Sequence, residues 1–229
     1  MRYAIVGTGS RSNLYVGALT AREHTDLVAV ADTNAGRADL CADDVVAAGS
    51  PRPSTWPADR VADMIRTERV DRVVVTSPDV THADVVATAL RAGADVVVEK
   101  PLTTTVEGTR TIADAISETG GSVVATFNYR YSPRNSALRR VIADGEIGRP
   151  LSVHFEWMLD TNHGADYFRR WHRDKTNSGG LLVHKASHHF DLVNWWIDDV
   201  PVTVAAHGGL RFYGAANAVA RGLGERPLR

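Results

Sequence analysis

A run of valines ending in two opposite charges, Val96-Val97-Val98-Glu99-Lys100-Pro101, carries the first legible chemistry in this chain. A buried strand stopping there delivers Glu99 and Lys100 to the carboxyl edge of a sheet, and Pro101 restricts the backbone as it leaves. An ammonium held at that edge can donate to a hydroxyl or carbonyl oxygen and stabilise developing alkoxide charge. By spacing alone, a surface ion pair is the competing reading. The second group lies far along the chain. His184, His188 and Asp191 follow i, i+4, i+7 spacing and so share one helix face, among apolar Leu181, Leu182, Phe190, Leu192, Val193 and Trp196. A polar stripe on an apolar helix marks either a site or core histidines satisfied by hydrogen bonds. Two histidines one turn apart can also bind metal; no third ligand stands out beyond this helix, and no metal is expected.

Strand Tyr3–Val6 runs straight into Gly7-Thr8-Gly9-Ser10-Arg11-Ser12 and then into helical periodicity. In a dinucleotide turn the first glycine makes the tight bend, the second lets the backbone approach the pyrophosphate, and the helix N-terminus attracts its charge. Ser12 occupies the usual place of the third glycine, where a small side chain still permits close packing and could cap the helix. Asp32, followed by Thr33, ends the second strand, where a carboxylate accepts from ribose hydroxyls and repels a 2′-phosphate. A simple helix N-cap is the plainer reading of the same aspartate. NAD is therefore expected, while Arg37 and Arg11, either of which could receive a phosphate, keep NADP open. Ser77-Pro78-Asp79 leaves the strand Arg72–Thr76 at the same edge, the place where open α/β sheets bind ligands. Ser77, Pro78 and the nearby His82 are expected on the nicotinamide side, with His82 a neighbour and not a catalyst. Where the chain leaves the sheet, Asn128 is expected at the cofactor and Tyr129 and Arg130 at the cleft; Arg130 could equally be a structural contact.

Those residues need a scaffold, and the pattern supplies one. Short β-branched runs (Tyr3–Val6, Leu27–Ala31, Arg72–Thr76, Asp95–Val98, Ser122–Thr126) alternate with helical stretches (Asn13–Arg22, Ala35–Ala48, Ala58–Glu68, His82–Ala92, Val106–Thr119). That alternation predicts a doubly wound parallel sheet over 1–127, an α/β Rossmann domain. After Phe127 the texture predicts a helix from Pro133 to Asp144, a strand Leu151–Asp160, a helix from Gly180 to Trp196, a strand Val202–Tyr213 and a loop over Gly214–Arg229. A second α+β domain over 128–229 built from so few strands looks thin, so truncation or completion by another subunit is expected.

Composition bounds the partners. The 229 residues carry 26 basic and 27 acidic side chains, a formal charge of −1, and so no global field for nucleic acid or an anionic membrane. Cys41 is the only cysteine, which excludes an intrachain disulfide and a cysteine metal cluster. The N-terminus has no apolar run long enough for a leader or a membrane span. A cytoplasmic protein acting on a small molecule is expected.

Glu99-Lys100-Pro101, Thr81-His82 behind Ser77-Pro78-Asp79, and Gly179-Gly180 followed by His188 and Asp191 together resemble the glucose–fructose oxidoreductase / inositol dehydrogenase (Gfo/Idh/MocA) family. The resemblance extends to about residue 213. It implies a Rossmann domain followed by a domain with a large, open, mostly antiparallel sheet, NAD or NADP, and sugar or polyol substrates; the incomplete sheet itself argues for homo-oligomers joined through it. It also implies roles: Lys100 matches the active-site lysine and His188 the general acid/base. One position departs, since an aspartate is common where this chain has His184, and substrate preference is expected to differ accordingly. His184 then joins the catalytic set, and with no carboxylate beside it the His184/His188 pair is expected to be neutral and base-competent at neutral pH. Trp171-His172-Arg173-Asp174-Lys175 resembles a substrate loop, in which Trp171 would stack on a sugar face. Two other activities are compatible with the same motifs: redox-assisted glycoside cleavage that retains its cofactor, and cofactor binding without catalysis.

Overall fold

A computed structural model describes residues 1–223. Six parallel strands, β1 (Arg2–Val6), β2 (Asp26–Asp32), β3 (Ser54–Pro57), β4 (Arg72–Val75), β5 (Asp95–Glu99) and β6 (Val123–Thr126), form one sheet in the order β3-β2-β1-β4-β5-β6. Helices α1 (Ser12–Thr20), α2 (Ala35–Ala47), α3 (Val61–Glu68), α4 (His82–Arg91) and α5 (Val106–Thr119) connect them. This is the doubly wound Rossmann order, whose ligand crevice opens at the carboxyl ends of β1 and β4.

Side-chain alternation explains why both faces are covered. Ala4, Val6, Val73, Val75, Val96 and Val98 pack against Met64, Val86, Leu90 and Ile112 of α3, α4 and α5. Ile5, Val30 and Val74 point the other way, against Val16 and Leu19 of α1 and Ala38, Cys41 and Val45 of α2. Each buried aliphatic side chain of this kind contributes roughly 1.5–3 kcal/mol. Local chemistry sets the helix starts: the side chains of Asn34 and Thr105 accept from the N–H groups of Arg37 and Gly108. The edge strand β3 was not legible as a strand, because Pro53 and Pro57 bracket it in the manner of a loop. Proline is tolerated there because an edge strand leaves donors unpaired. The stretch 58–68 divides into a 3₁₀ turn, Ala58–Arg60, and α3.

Beyond the sheet, α6 (Pro133–Ala143) forms as expected, with the Ser132 hydroxyl accepting from Asn135 N–H and Pro133 in the first turn. The helices α7 (Thr161–Gly164), α8 (Asp166–Arg169), α9 (Lys175–Ser178), α10 (Leu181–His184), α11 (Ser187–Ile197) and α12 (Ala215–Ala220) follow. Three expectations need correction. The helix expected from Gly180 to Trp196 breaks at Lys185–Ala186 into α10 and α11. Segments 151–160 and 202–213 do not join a strand ladder among the described residues, because a strand needs a partner for its backbone groups. They leave Leu151, Met158 and Val202 exposed by 92%, 85% and 97%. Part of the expected C-terminal loop is helical, as α12; residues 224–229 lie outside the described residues. Among the described residues no helix is long and apolar enough to cross a membrane.

Candidate active site

The glycine turn is built as a cradle. Gly7 has φ +93°, and a Cβ there would lie 2.4 Å from Ser77 N and 2.5 Å from Ser77 Cα, so backbone from the neighbouring loop excludes every other residue. A Cβ on Gly9 would meet no protein atom within 4 Å. Its open side is the space a pyrophosphate would need against the start of α1. No side chain caps α1, in contrast to α2, α5 and α6. Ser12 is fully buried and its hydroxyl donates to Gly9 O at 2.7 Å; it is the first residue of the helix and fastens the turn instead of capping. The residues present therefore fit a dinucleotide phosphate.

Asp32 is the polar anchor of this turn. Its Oδ2 accepts from Thr8 N at 2.8 Å and Thr8 Oγ1 at 2.9 Å, and its Oδ1 accepts from Asn34 N at 2.8 Å and Arg37 at 2.6 Å. Thr33 lies beside it, 3.4 Å from the same Oδ1. Burial alone would push the carboxyl up; the Arg37, Asn34 and Thr8 hydrogen bonds outweigh it and hold Asp32 down at about 2. Arg37 is thereby spoken for by a carboxylate.

Glu99 organises the opposite wall. It is buried, with Oε1 accepting from Arg11 Nε at 2.6 Å and from the Tyr15 hydroxyl at 2.8 Å, while Oε2 accepts from Lys100 N at 3.2 Å. Burial works against the Arg11 cation, and its bond to Glu99 more than restores it. His82 is also fully buried, with Nδ1 2.8 Å from Pro101 O and Nε2 2.9 Å from Ser77 O. It clamps the two loops from behind and offers no ring edge to the crevice. Ser77 and Thr81 share a hydroxyl–hydroxyl bond of 2.6 Å in the same loop, and Pro78 and Asn128 are exposed at this rim.

Residues far apart in sequence converge on Lys100. Its Nζ donates to the carbonyl of His184 at 2.7 Å. Burial pushes the ammonium down from its ordinary value, while Asp79 and Glu99 pull it back up. His188 is buried, its ring stacked on Tyr129 at 4.0 Å and 5° and edge-on to Phe127 at 6.1 Å. Burial first, then the charges of Lys100 and Lys185, push His188 down to about 3, so it is neutral at neutral pH. Its Nδ1 is buried without a hydrogen-bond partner. Lys185 reaches the Tyr129 hydroxyl at 3.1 Å.

The expected single face of His184, His188 and Asp191 is not formed, because the break at Lys185–Ala186 redirects the first of them. His184 Nδ1 bonds to Asp79 Oδ2, in the loop after β4. Asp191 receives a two-pronged bond from Arg130, through Nε at 2.8 Å and through a terminal nitrogen, which makes Arg130 a structural link between the β6 exit and α11. The carboxylate missing from position 184 is thus supplied by Asp79. Around the His184 ring stand His172 at 4.7 Å, Tyr167 at 5.4 Å and Trp171 edge-on at 5.7 Å. Trp171 itself stacks on His172 at 3.9 Å. An open cavity of about 950 Å³ adjoins this cluster, sharing Tyr167 and His172 as lining. Asp79 and His172 stand inside motifs quoted above without being singled out, and Lys185 in none of them; the partner of Asp79 is 105 residues away.

A doubly wound sheet, a glycine turn open to phosphate and an ammonium beside two imidazoles define a dinucleotide-binding α/β protein. The chain belongs to the Gfo/Idh/MocA oxidoreductase family: residues 1–127 match its NAD-binding Rossmann fold and residues 139–221 its C-terminal alpha/beta domain. It is 45% identical over 156 residues to YteT of Bacillus subtilis (strain 168), covering 68% of this chain and 36% of that protein. It is 29% identical over 206 residues to an inositol 2-dehydrogenase of Rhizobium meliloti (strain 1021), covering 90% and 58%. The fold matches the solved WlbA dehydrogenase of Bordetella pertussis with a TM-score of 0.70 at 24% identity, over 86% of this chain and 55% of that one. The chain thus spans roughly half, or less, of the length of these relatives.

Proposed function

We propose that this protein is an NAD-dependent oxidoreductase acting on a CH–OH group of a sugar or polyol. The carrying observation is the meeting of Lys100 with the His184 carbonyl at the end of α10 and with the buried His188 at the start of α11, at the carboxyl edge of the sheet. Bound NAD would supply the hydride acceptor. Gly7 to Ser12 would hold its pyrophosphate, Asp32 and Thr33 its adenosine ribose, and Ser77, Pro78 and Asn128 the nicotinamide side. Arg11, Glu99 and His82 would hold that wall in shape. Lys100 polarises the substrate oxygen, a histidine of the pair takes the hydroxyl proton, and Tyr129, Arg130 and Trp171 border the substrate. NAD is favoured over NADP because the Asp32 charge opposes a 2′-phosphate and Arg37 is already engaged by it. The polyol class draws on the inositol 2-dehydrogenase relative.

The reading divides the chain into a cofactor domain, 1–127, and a substrate and association domain, 128–229. Exposed apolar side chains at Leu151, Met158 and Val202 support homo-oligomers through the second part, and the single buried Cys41 suits a reducing cytoplasm. The deciding experiment follows the near-ultraviolet absorbance of reduced nicotinamide with a panel of inositols and sugars. Net reduction of NAD that is lost in Lys100→Ala is expected. Substrate consumption without net reduction, or turnover indifferent to Lys100, would refute the proposal.

A further inference from the structure

We infer that Asp79 is the positioning carboxylate of His184, and that the two, 105 residues apart in the chain, form the proton-transfer dyad of the oxidation proposed above. The inference rests on that reading and says which imidazole takes the proton.

Asp79 is 5% exposed, and its Oδ2 is bonded to His184 Nδ1. A carboxylate at Nδ1 fixes the ring's proton there, so Nε2 becomes the atom that can accept a proton, and the anion stabilises the imidazolium that results. The same residue is gripped from a second side, because Lys100 Nζ donates to the His184 carbonyl at 2.7 Å. The oxygen-polarising cation and the base are thus set by one short piece of backbone. Rings of His172, Tyr167 and Trp171 surround the imidazole and limit its contact with water.

His188 has the opposite surroundings. It faces Lys100 and Lys185 with no carboxylate, its ring lies flat on Tyr129, and its Nδ1 has no partner. An imidazole among cations resists becoming one. His188 suits a neutral hydrogen-bonding role toward substrate; His184 suits the role that acquires charge. The charged and titratable groups around His184 are Asp79 and Lys100 from the sheet side, His172 and Tyr167 from the segment before α9, and Lys185 next in the chain.

In the forward step the substrate O–H proton moves to His184 Nε2. The alcohol carbon becomes a carbonyl, and NAD bound at the glycine turn would supply the acceptor for the hydride that leaves with the C–H bond. The imidazolium afterwards releases its proton to solvent.

Two independent measurements test this. In the cofactor-free protein, ring-nitrogen NMR should find His184 protonated on Nδ1, a preference that Asp79→Asn abolishes. In NAD-linked turnover, His184→Gln should lower kcat by about 10²–10⁴-fold. Asp79→Asn should lower kcat by a smaller factor with KM little changed, and Asp79→Glu should recover much of the loss. A structural tether alone would change stability without a loss confined to kcat and without its recovery by Asp79→Glu. A His184 ring protonated on Nε2, an Asp79→Asn kcat equal to wild type, or greater loss in His188→Gln than in His184→Gln would overturn the inference. If the wild type turns over nothing in the panel while NMR finds the Nδ1 proton, the oxidoreductase reading has failed and takes the dyad's role with it. The NMR result keeps that case distinct from failure of the pairing itself.

Discussion

Replacing His188 with glutamine tests the electrostatics of the site without any substrate. The side chain is 4% exposed and its pKa falls from 6.5 to about 3, through burial and then the charges of Lys100, Lys185, His189 and Arg11. The unfolded chain takes up a proton at this residue below its ordinary value, whereas the folded chain refuses it until the folded value is reached. Stability from a neutral His188 is therefore complete above about 6.5 and is lost as pH falls toward about 3. Each pH unit inside that window costs about 1.4 kcal/mol, so two units of acidification cost the wild type roughly 3 kcal/mol through this residue alone. Urea denaturation at a series of pH values should show the wild type falling more steeply than His188→Gln between about pH 6.5 and 4.5. His172 and His189 are also pushed down by burial, but both proteins retain them, so their effect cancels in the difference. Parallel stability curves for the two proteins would refute the account of a desolvated imidazole facing cations.

Gly7→Ala should destabilise the fold by roughly 2–5 kcal/mol in urea, through a disfavoured φ and backbone overlap with Ser77 that cannot relax. Gly9→Ala should leave stability nearly unchanged yet weaken NAD binding in a calorimetric titration, because its Cβ fills only the open side of the turn; equal loss of stability in both would count against the cradle. Asp32→Asn should cost about 2 kcal/mol at neutral pH, the difference shrinking as pH falls from about 4 toward 2. By releasing Arg37 it should also narrow the preference for NAD over NADP, and a preference unmoved in paired titrations would show that Asp32 does not set it.

The sheet half was legible because its signals are local. Each strand is a short β-branched run closed by a glycine or a polar turn, and β5 announces itself by a valine run ending at Glu99 and Lys100. β3 escaped because Ser54–Pro57 is an edge strand with prolines at its borders, a context in which composition and pairing disagree. Past α6 the local signals failed in a particular way. Alternation at 151–160 and 202–213 identifies segments able to pair, but pairing depends on what lies opposite. Helical spacing from Gly180 to Trp196 was equally real, but periodicity has no means of registering the break at Lys185–Ala186. The types at the site, Lys100, His184 and His188, were therefore readable, while their partners were not. Asp79 to His184 and Arg130 to Asp191 are contacts across the chain, which no sequence window contains.

The polar contacts behind the crevice also explain how Lys100 can be held at a sheet edge yet remain available. His82 ties the loop after β4 to the loop after β5 through Ser77 O and Pro101 O, and Glu99 ties β5 to the glycine turn through Arg11. Those bonds fix the backbone on both sides of Lys100 and leave its four-carbon stem as the adjustable part. Burial lowers the cost of neutralising its ammonium while Asp79 and Glu99 oppose that change. The charge is thus maintained by carboxylates that have other duties: Glu99 fastens the wall, and Asp79 orients His184. Removing either carboxylate would therefore disturb both a position and a protonation state. A cation and a base are held close together here because Asp79 serves both, its charge supporting Lys100 and its Oδ2 bonded to His184, while Glu99 at the end of β5 adds a second anion beside the ammonium.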